Sequence, residues 1–449
     1  MDALKPLQGP GFLTAMGGLR RDGFLAYVGH LWQTHGDTFQ IRLGPRTLVV
    51  AIHPEAVRHI NVSHRQNYDK GRSYDTVRRY LIGDGLVAST GELWKRQRKL
   101  MAPLFTPRGV QSYAEIMLSD GVRLLDRWEG HARSGQTVEI GEEMTLVTAS
   151  IILKAMFSTE TDEAIIEMKE AVETMISFTN AQLEGISPPD WFPTKLKRKY
   201  RRSRDKVHTY INALIAQRHA IPEAQWPDDL LTCLMQARDE ETGESMAENL
   251  LRDESITTFF AGHETTARTM SAAWYALAAN PAVADRLHQE LDSVLGDRTP
   301  TVEDLHCLPY TLQVIKEVLR MYPPAPFYAR DALADDTLDG YAIPANTTVM
   351  LSPYFTHRHP DFWDDPLQFD PDRWRPEGEA ARHPYAYHPF ASGQRICIGN
   401  NFSLLESHIL LALLARRFAP GLLPDFEPRW VMKGVLRAAN GIPMRIKAR

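Results

Sequence analysis

The chain has 449 residues, 51 of them Lys or Arg and 56 Asp or Glu, and the net charge of −5 excludes a bulk nucleic-acid binder. Its 43% hydrophobic and 24% charged residues fit a globular protein with a sizeable core; three cysteines, Cys233, Cys307 and Cys397, are too few and too scattered for a disulfide framework, which predicts a reducing compartment. No repeat and no Gly/Ser-rich or Pro-rich linker interrupts the sequence, so a single domain over 1–449 is expected in place of the ~3 that length alone suggests.

The opening MDALKPLQGPGF has neither a basic segment followed by an apolar one nor ~18 apolar residues in a row, so a soluble cytoplasmic chain without signal peptide or membrane anchor is expected. TFQIRL (38–43) and TLVVAI (47–52) flank Gly44-Pro45-Arg46 and read as a hairpin. In GELWKRQR (91–98), Trp94 and Arg98 are four apart and share one helical face. The basic run Lys195 to Arg204 follows SPPDWFP (187–193); a solvated helix face is its default reading, and membrane or substrate-entry contact the alternative.

Ser245 to Asn280 reads as one very long helix, with capping-box spacing at Ser245 and Glu248 and a stop at Asn280-Pro281. At ~1.5 Å per residue it would cross the whole molecule. Within it, Ala261-Gly262-His263-Glu264-Thr265-Thr266 is a polar, small-residue break, where a threonine hydroxyl competing for a carbonyl predicts a local bulge. Thr311 to Met321 is a second helix, on which Glu317 and Arg320 are three apart and positioned to pair. Residues 337–354 have β-branched runs broken by Gly and Pro; Asn400 to Phe418 is a third helix, apolar nearly all round beyond Ile409; Asn440-Gly441 reads as a late hairpin turn. The chain is therefore mostly α with a small β part, placed at about 35–65, 325–355 and the C-terminal hairpin.

Cys397 stands apart from the other two cysteines. It lies between Gly393 and Gly399, directly before the third helix. Backbone N–H groups of such a turn and a helix N-terminus favour a thiolate, which with Arg395 nearby suits an iron ligand beside an anionic group. A buried structural thiol is the competing reading.

Phe390-x-x-Gly393-x-Arg395-x-Cys397-x-Gly399 resembles the haem-ligand loop of the cytochrome P-450 family, with Ala391 and Ser403 as small-for-small departures. The resemblance extends through several motifs in the family's order. It implies the cytochrome P-450 fold, with haem b between the long helix and the cysteine loop with its following helix. It further implies Cys397 as axial thiolate; Phe390 and Gly399 in the haem loop; Trp94, Arg98, Arg330 and Arg395 as propionate partners; and Glu317, Arg320 and Arg373 as a structural cluster. Thr265 becomes the alcohol and Glu264 the acid of proton delivery, and His263 is non-ligating.

A monooxygenase is then expected to insert one atom of O2 into a lipophilic fatty acid, terpenoid or steroid-like substrate by hydroxylation or epoxidation. Its electrons come from NAD(P)H indirectly, through a separate ferredoxin with its reductase or a flavodoxin-type donor, which the basic Lys95, Arg96 and Lys99 could meet. The acid–alcohol pair argues against a peroxide-driven or redox-neutral enzyme, and the absence of an output module against a haem sensor. By the same resemblance, Phe259, Phe260, Ala261, Phe327 and Tyr328 line the substrate pocket, with Phe178 and Trp191 from other segments.

Overall fold

The computed structural model describes residues 5–43, 46–159, 162–183, 192, 194–238 and 243–449. The Gly44-Pro45 turn, Trp191 and most of the 187–193 loop lie outside the described residues. The chain divides into two compact units: Met1–Ser73, Gln313–Cys397 and Glu427–Asn440 in the first, and Tyr74–Leu312, Ile398–Phe426 and Gly441–Arg449 in the second.

The first unit is built on a five-stranded sheet in the order Thr38–Leu43, Arg46–Ala51, Thr348–Leu351, Tyr328–Ala332, Tyr68–Asp69. All neighbours are antiparallel except Arg46–Ala51 with Thr348–Leu351. The predicted pairing is present, with Thr38 opposite Ala51 and Phe39 opposite Val50. Its second strand reads as a continuous apolar run because both faces are covered. Val50 joins Phe39, Ile41 and Phe355 in one cluster, whereas Val49 and Ala51 join Val57, Ile60 and Leu351 in another.

The second unit is mainly helical. Its longest helix runs from Glu248 to Ala279, three residues later than the capping-box reading placed its start. Ser245 does not cap it: that residue forms an isolated bridge with Arg238, and the helix opens after Ala247 without a side-chain cap. Gly262 is required by packing, because a Cβ there would stand 2.9 Å from Ile152 on the neighbouring helix Ile140–Phe157. The stop at Asn280-Pro281 is as read, with Pro281 beginning the next helix. The helix of Glu317 begins at Pro309 and ends at Met321, its residues from Gln313 onward belonging to the first unit. The helix after the cysteine loop spans Asn400–Ala415 and is buried at every position from Glu406 onward. It stops before Phe418, which opens a strand.

Asn440-Gly441 is not a hairpin turn. The late hairpin pairs Trp430–Lys433 with Val435–Ala438 and turns at Gly434, whose φ of 76° favours glycine. Asn440 instead accepts the Arg429 N–H through its side chain at 2.8 Å, and the strand after it, Pro443–Ala448, pairs with Phe418–Leu422 and Thr137–Glu139 in the second unit.

Candidate functional site

In the first unit the loop before Cys397 is shaped by two residues of positive φ. Ala391 has φ 60°, a conformation that costs an L-residue about 1 kcal/mol and explains why glycine is common there. Gly393 has φ 68°, and a Cβ on it would lie 2.1 Å from the Asn61 carbonyl oxygen. The Cys397 N–H donates to the Phe390 carbonyl at 2.8 Å, closing the loop and leaving the cysteine exposed. Asn61 braces the loop from below, its amide donating to Ser392 Oγ and to the Tyr328 hydroxyl, both at 3.0 Å.

Beside the sulfur stands a group of charges. Arg395 is buried and ion-paired with Asp69, and Arg330 is buried in the strand Tyr328–Ala332 with Nη1 on the Ala329 carbonyl at 2.8 Å. Burial, and then the positive charges of Arg330 and Arg395, push the Lys70 ammonium well below its usual range, against the opposing pull of Asp69 and Cys397. Arg330 and Arg395 are the permanent positive charges of this group, Asp69 being paired to Arg395, and guanidinium groups suit a carboxylate-bearing ligand.

The same unit holds the Glu317 cluster. Arg320 donates to both Glu317 oxygens at 2.7 and 2.8 Å, and Arg373 Nε lies 3.6 Å from Glu317. A chain of bonds runs from this cluster toward the cysteine loop. The Arg320 carbonyl meets His357 Nδ1 at 3.3 Å, and the His388 N–H donates to His357 Nε2 at 2.9 Å, two residues before Phe390. Both imidazoles are buried and held below the usual histidine range by that burial, His388 at about 3.

In the second unit, Trp94 and Arg98 share one face of the helix Gly91–Met101, with Trp94 buried. On the long helix, Thr265 Oγ1 donates to the Ala261 carbonyl at 2.7 Å, and Glu264 Oε1 accepts from Arg268 at 3.3 Å. The helix is unbroken from Glu248 to Ala279, so the expected bulge is absent: Thr265 shares the Ala261 carbonyl with the backbone ladder and does not displace it. His263 turns inward, with Nδ1 2.8 Å from the Phe259 carbonyl and its ring stacked on Phe259. Ser403, where alanine is usual, has a partner in Thr266 Oγ1 at 3.2 Å.

The cytochrome P450 family profile matches residues 5–443, through both units. The chain belongs to the cytochrome P450 family. It is 32% identical to cyclooctatin synthase of Streptomyces melanosporofaciens over 94% of this chain and 90% of that one, and 30% identical to pentalenene oxygenase of Streptomyces avermitilis over 95% and 96%. Its fold superposes on the crystal structure of the cytochrome P450DA heme domain with a TM-score of 0.91 at 27% identity, covering 100% of this chain and 99% of that chain. This P450 is a haem-thiolate monooxygenase that uses O2, takes lipophilic substrates and draws electrons from redox partners. Among the described residues no helix is long and apolar enough to cross a membrane.

The donor set of the first unit fits a haem. It offers one accessible thiol for iron and the guanidinium groups of Arg330 and Arg395 for carboxylates. Of the residues predicted for the substrate pocket, Ala261 is exposed, while Phe259 and Phe260 are buried on the long helix. Phe327 packs into the first unit's core against Phe24 and Phe355, with centroids at 5.1 and 5.9 Å. Tyr328 is drawn into the polar bracing beneath the cysteine loop. Sequence reasoning missed Asn61, Asp69, Lys70 and His388. None has a motif, and each reaches its place through contacts that are long-range in sequence.

Proposed function

We propose that Cys397 would supply the thiolate that holds the haem iron of this P450, with Phe390 and Gly399 in the haem loop and Trp94, Arg98, Arg330 and Arg395 holding the haem propionates. The observation that carries this is the exposed Cys397 in the same unit as the buried guanidinium groups of Arg330 and Arg395. Bound there, haem supplies the oxygen-inserting chemistry, and a thiolate ligand favours O–O cleavage. The protein's own work is to keep the Cys397 sulfur as a thiolate, to neutralise carboxylates with guanidinium groups and to supply protons. Thr265 Oγ1 relays the proton, and Glu264, held by one long bond to Arg268, replenishes it. Phe259, Phe260 and Ala261 offer the substrate an apolar surface on the same helix.

For substrate, a terpenoid is favoured over a fatty acid or steroid, because relatives bear the names cyclooctat-9-en-7-ol 5-monooxygenase and pentalenene oxygenase. Electrons reach this enzyme from NAD(P)H through a separate ferredoxin or flavodoxin-type protein in the cytoplasm.

Two measurements test the assignment. The reduced, carbon monoxide-treated enzyme is expected to show the red-shifted Soret band of thiolate ligation, and Cys397→His is expected to abolish it; a band that survives the substitution overturns the ligand. Thr265→Ala is expected to retain haem while diverting electrons to hydrogen peroxide. Unchanged product per electron in that variant removes Thr265 from proton delivery.

A further inference from the structure

A second constellation lies outside all the residues assigned above. His59–Ser63 is a π-helical turn, closed where the His64 N–H donates to the His59 carbonyl at 2.8 Å. At 3.6 residues per turn, side chains five apart would point roughly 140° away from each other. The wider π-turn brings them onto one face, and the two imidazoles are stacked with centroids 3.8 Å apart and planes 20° apart. Across from them stands Asp336, which opens the distant strand Asp336–Leu338 and has Oδ2 2.8 Å from His59 Nε2. One ligating atom from each of the three residues falls within 4.8 Å of the other two.

An ion pair between His59 and Asp336 accounts for two of these groups. It does not account for His64, an exposed imidazole laid face to face on another group that also takes positive charge, with both turned toward one carboxylate. A metal ion accounts for all three, because neutral imidazole nitrogens beside a carboxylate oxygen are a donor set for borderline metals. The carboxylate is already oriented by outer partners: the Tyr68 hydroxyl donates to Oδ2 at 2.9 Å and the Thr337 N–H to Oδ1 at 2.8 Å.

We propose that His59, His64 and Asp336 form a binding site for a divalent transition-metal ion of the Zn(II) class, bound by two imidazole nitrogens and one carboxylate oxygen with solvent completing the tetrahedron. At ~2.1 Å from the metal, tetrahedral ligands stand roughly 3.4 Å apart. The wider edges of the triangle therefore close by about an ångström, a rotation open to the exposed His64. Two nitrogen donors disfavour Mg(II) and Ca(II), which take oxygen ligands. The site sits on the turn that also carries Asn61, whose amide braces Ser392 in the cysteine loop. Bound metal thus clamps residues 59–64 to the strand of Asp336 and steadies the turn on which that loop rests.

The test uses the full-length, haem-loaded enzyme, stripped with a chelator, exchanged into a non-coordinating buffer and titrated calorimetrically with zinc chloride. One zinc per chain is expected to bind most tightly, with imidazole scattering in the zinc-edge X-ray absorption. His64→Ala and Asp336→Asn are each expected to weaken that step by ~10-fold or more, and Tyr68→Phe by a smaller factor. Zinc is also expected to raise the melting temperature of the wild type and not of the two ligand variants. His64 is exposed, so its replacement leaves the fold intact, which an unchanged carbon monoxide spectrum verifies. An isotherm of equal affinity in wild type and both ligand variants overturns the site, as does a wild type that retains no zinc.

Discussion

Two helices of this P450 carry an acid and an arginine at helical spacing, and they use the pair in opposite ways. Glu317 and Arg320 are three apart, with both side chains 0% exposed. Five N–H bonds leave the Arg320 guanidinium: two to Glu317, and the others to the carbonyls of His357, Pro366 and Gln368. They occupy every donor that an arginine has. Glu317 in turn accepts the Asp370 N–H and the Trp374 indole. Glu264 and Arg268 are four apart and meet at a single contact of 3.3 Å, with the arginine side chain 18% and the acid 12% exposed, and Arg268 Nε has no partner among the described residues. A fully satisfied buried pair has one arrangement. A loosely held acid keeps the freedom to turn and to exchange a proton, which is what the proposed role of Glu264 requires.

The largest effect is expected where the lock is broken. Arg320→Ala leaves the buried Glu317 without its two-pronged partner, with only the more distant Arg373 at 3.6 Å, and three carbonyls without donors, at a cost of about 3–5 kcal/mol. Arg320→Lys does not rescue it, because an ammonium cannot reproduce the fork. Urea denaturation followed by haem absorbance measures the loss. A loss below ~1 kcal/mol would mean that the pair behaves like a solvated one and that the comparison fails.

A third carboxylate sharpens the contrast. Glu254 lies on the long helix with Glu264, is 0% exposed and accepts the Leu86 N–H at 3.0 Å, while its Oε1 has no hydrogen-bond partner among the described residues. Burial pushes its pKa up to about 8. The folded state therefore keeps a proton that the unfolded chain releases in the ordinary glutamate range, so stability falls as pH rises from there to about 8 and then levels off. The slope is expected to approach ~1 kcal/mol per pH unit within that window, read from denaturation midpoints at successive pH values. Glu254→Gln keeps an acceptor for Leu86 and should flatten this part of the profile. An unchanged profile in that variant would move the pH sensitivity to another group.

The locked pair is visible in the sequence as a spacing, and so are the cysteine loop and the long helix, because each is written in contiguous residues; the pairing of Glu264 with Arg268 emerges only in the structure. What spacing cannot express is burial. Nothing in KEVLRMYPP distinguishes a fully enclosed guanidinium from a solvated one, because the three carbonyls that enclose it belong to residues 357–368. The same limit hid Lys70 and Asp69, which reach Arg395 from more than three hundred positions away. Turn chemistry misled where two local signals competed. Asn440-Gly441 has the stronger hairpin signature, yet Gly434 makes the turn because the Trp430–Lys433 strand finds its register with Val435–Ala438. Ser245 had the composition of a cap but was already engaged with Arg238.

The smallest change in stability, and the most informative about function, is expected at Arg268. With one long bond and partial exposure, removal of its side chain should shift the denaturation midpoint by no more than ~1 kcal/mol in free energy. The carbon monoxide spectrum should be unchanged, since Arg268 is outside the set proposed to hold haem. What should move is the partition of electrons: Arg268→Ala removes the contact that aims the otherwise mobile Glu264, so product formed per electron falls and hydrogen peroxide rises, with partial recovery in Arg268→Lys. Glu264→Gln should give the same partition without recovery, because the amide has no proton to pass on. If Arg268→Ala instead costs as much stability as Arg320→Ala while leaving the electron partition untouched, both pairs are locks, and the freedom of Glu264 is not what sets the two helices apart.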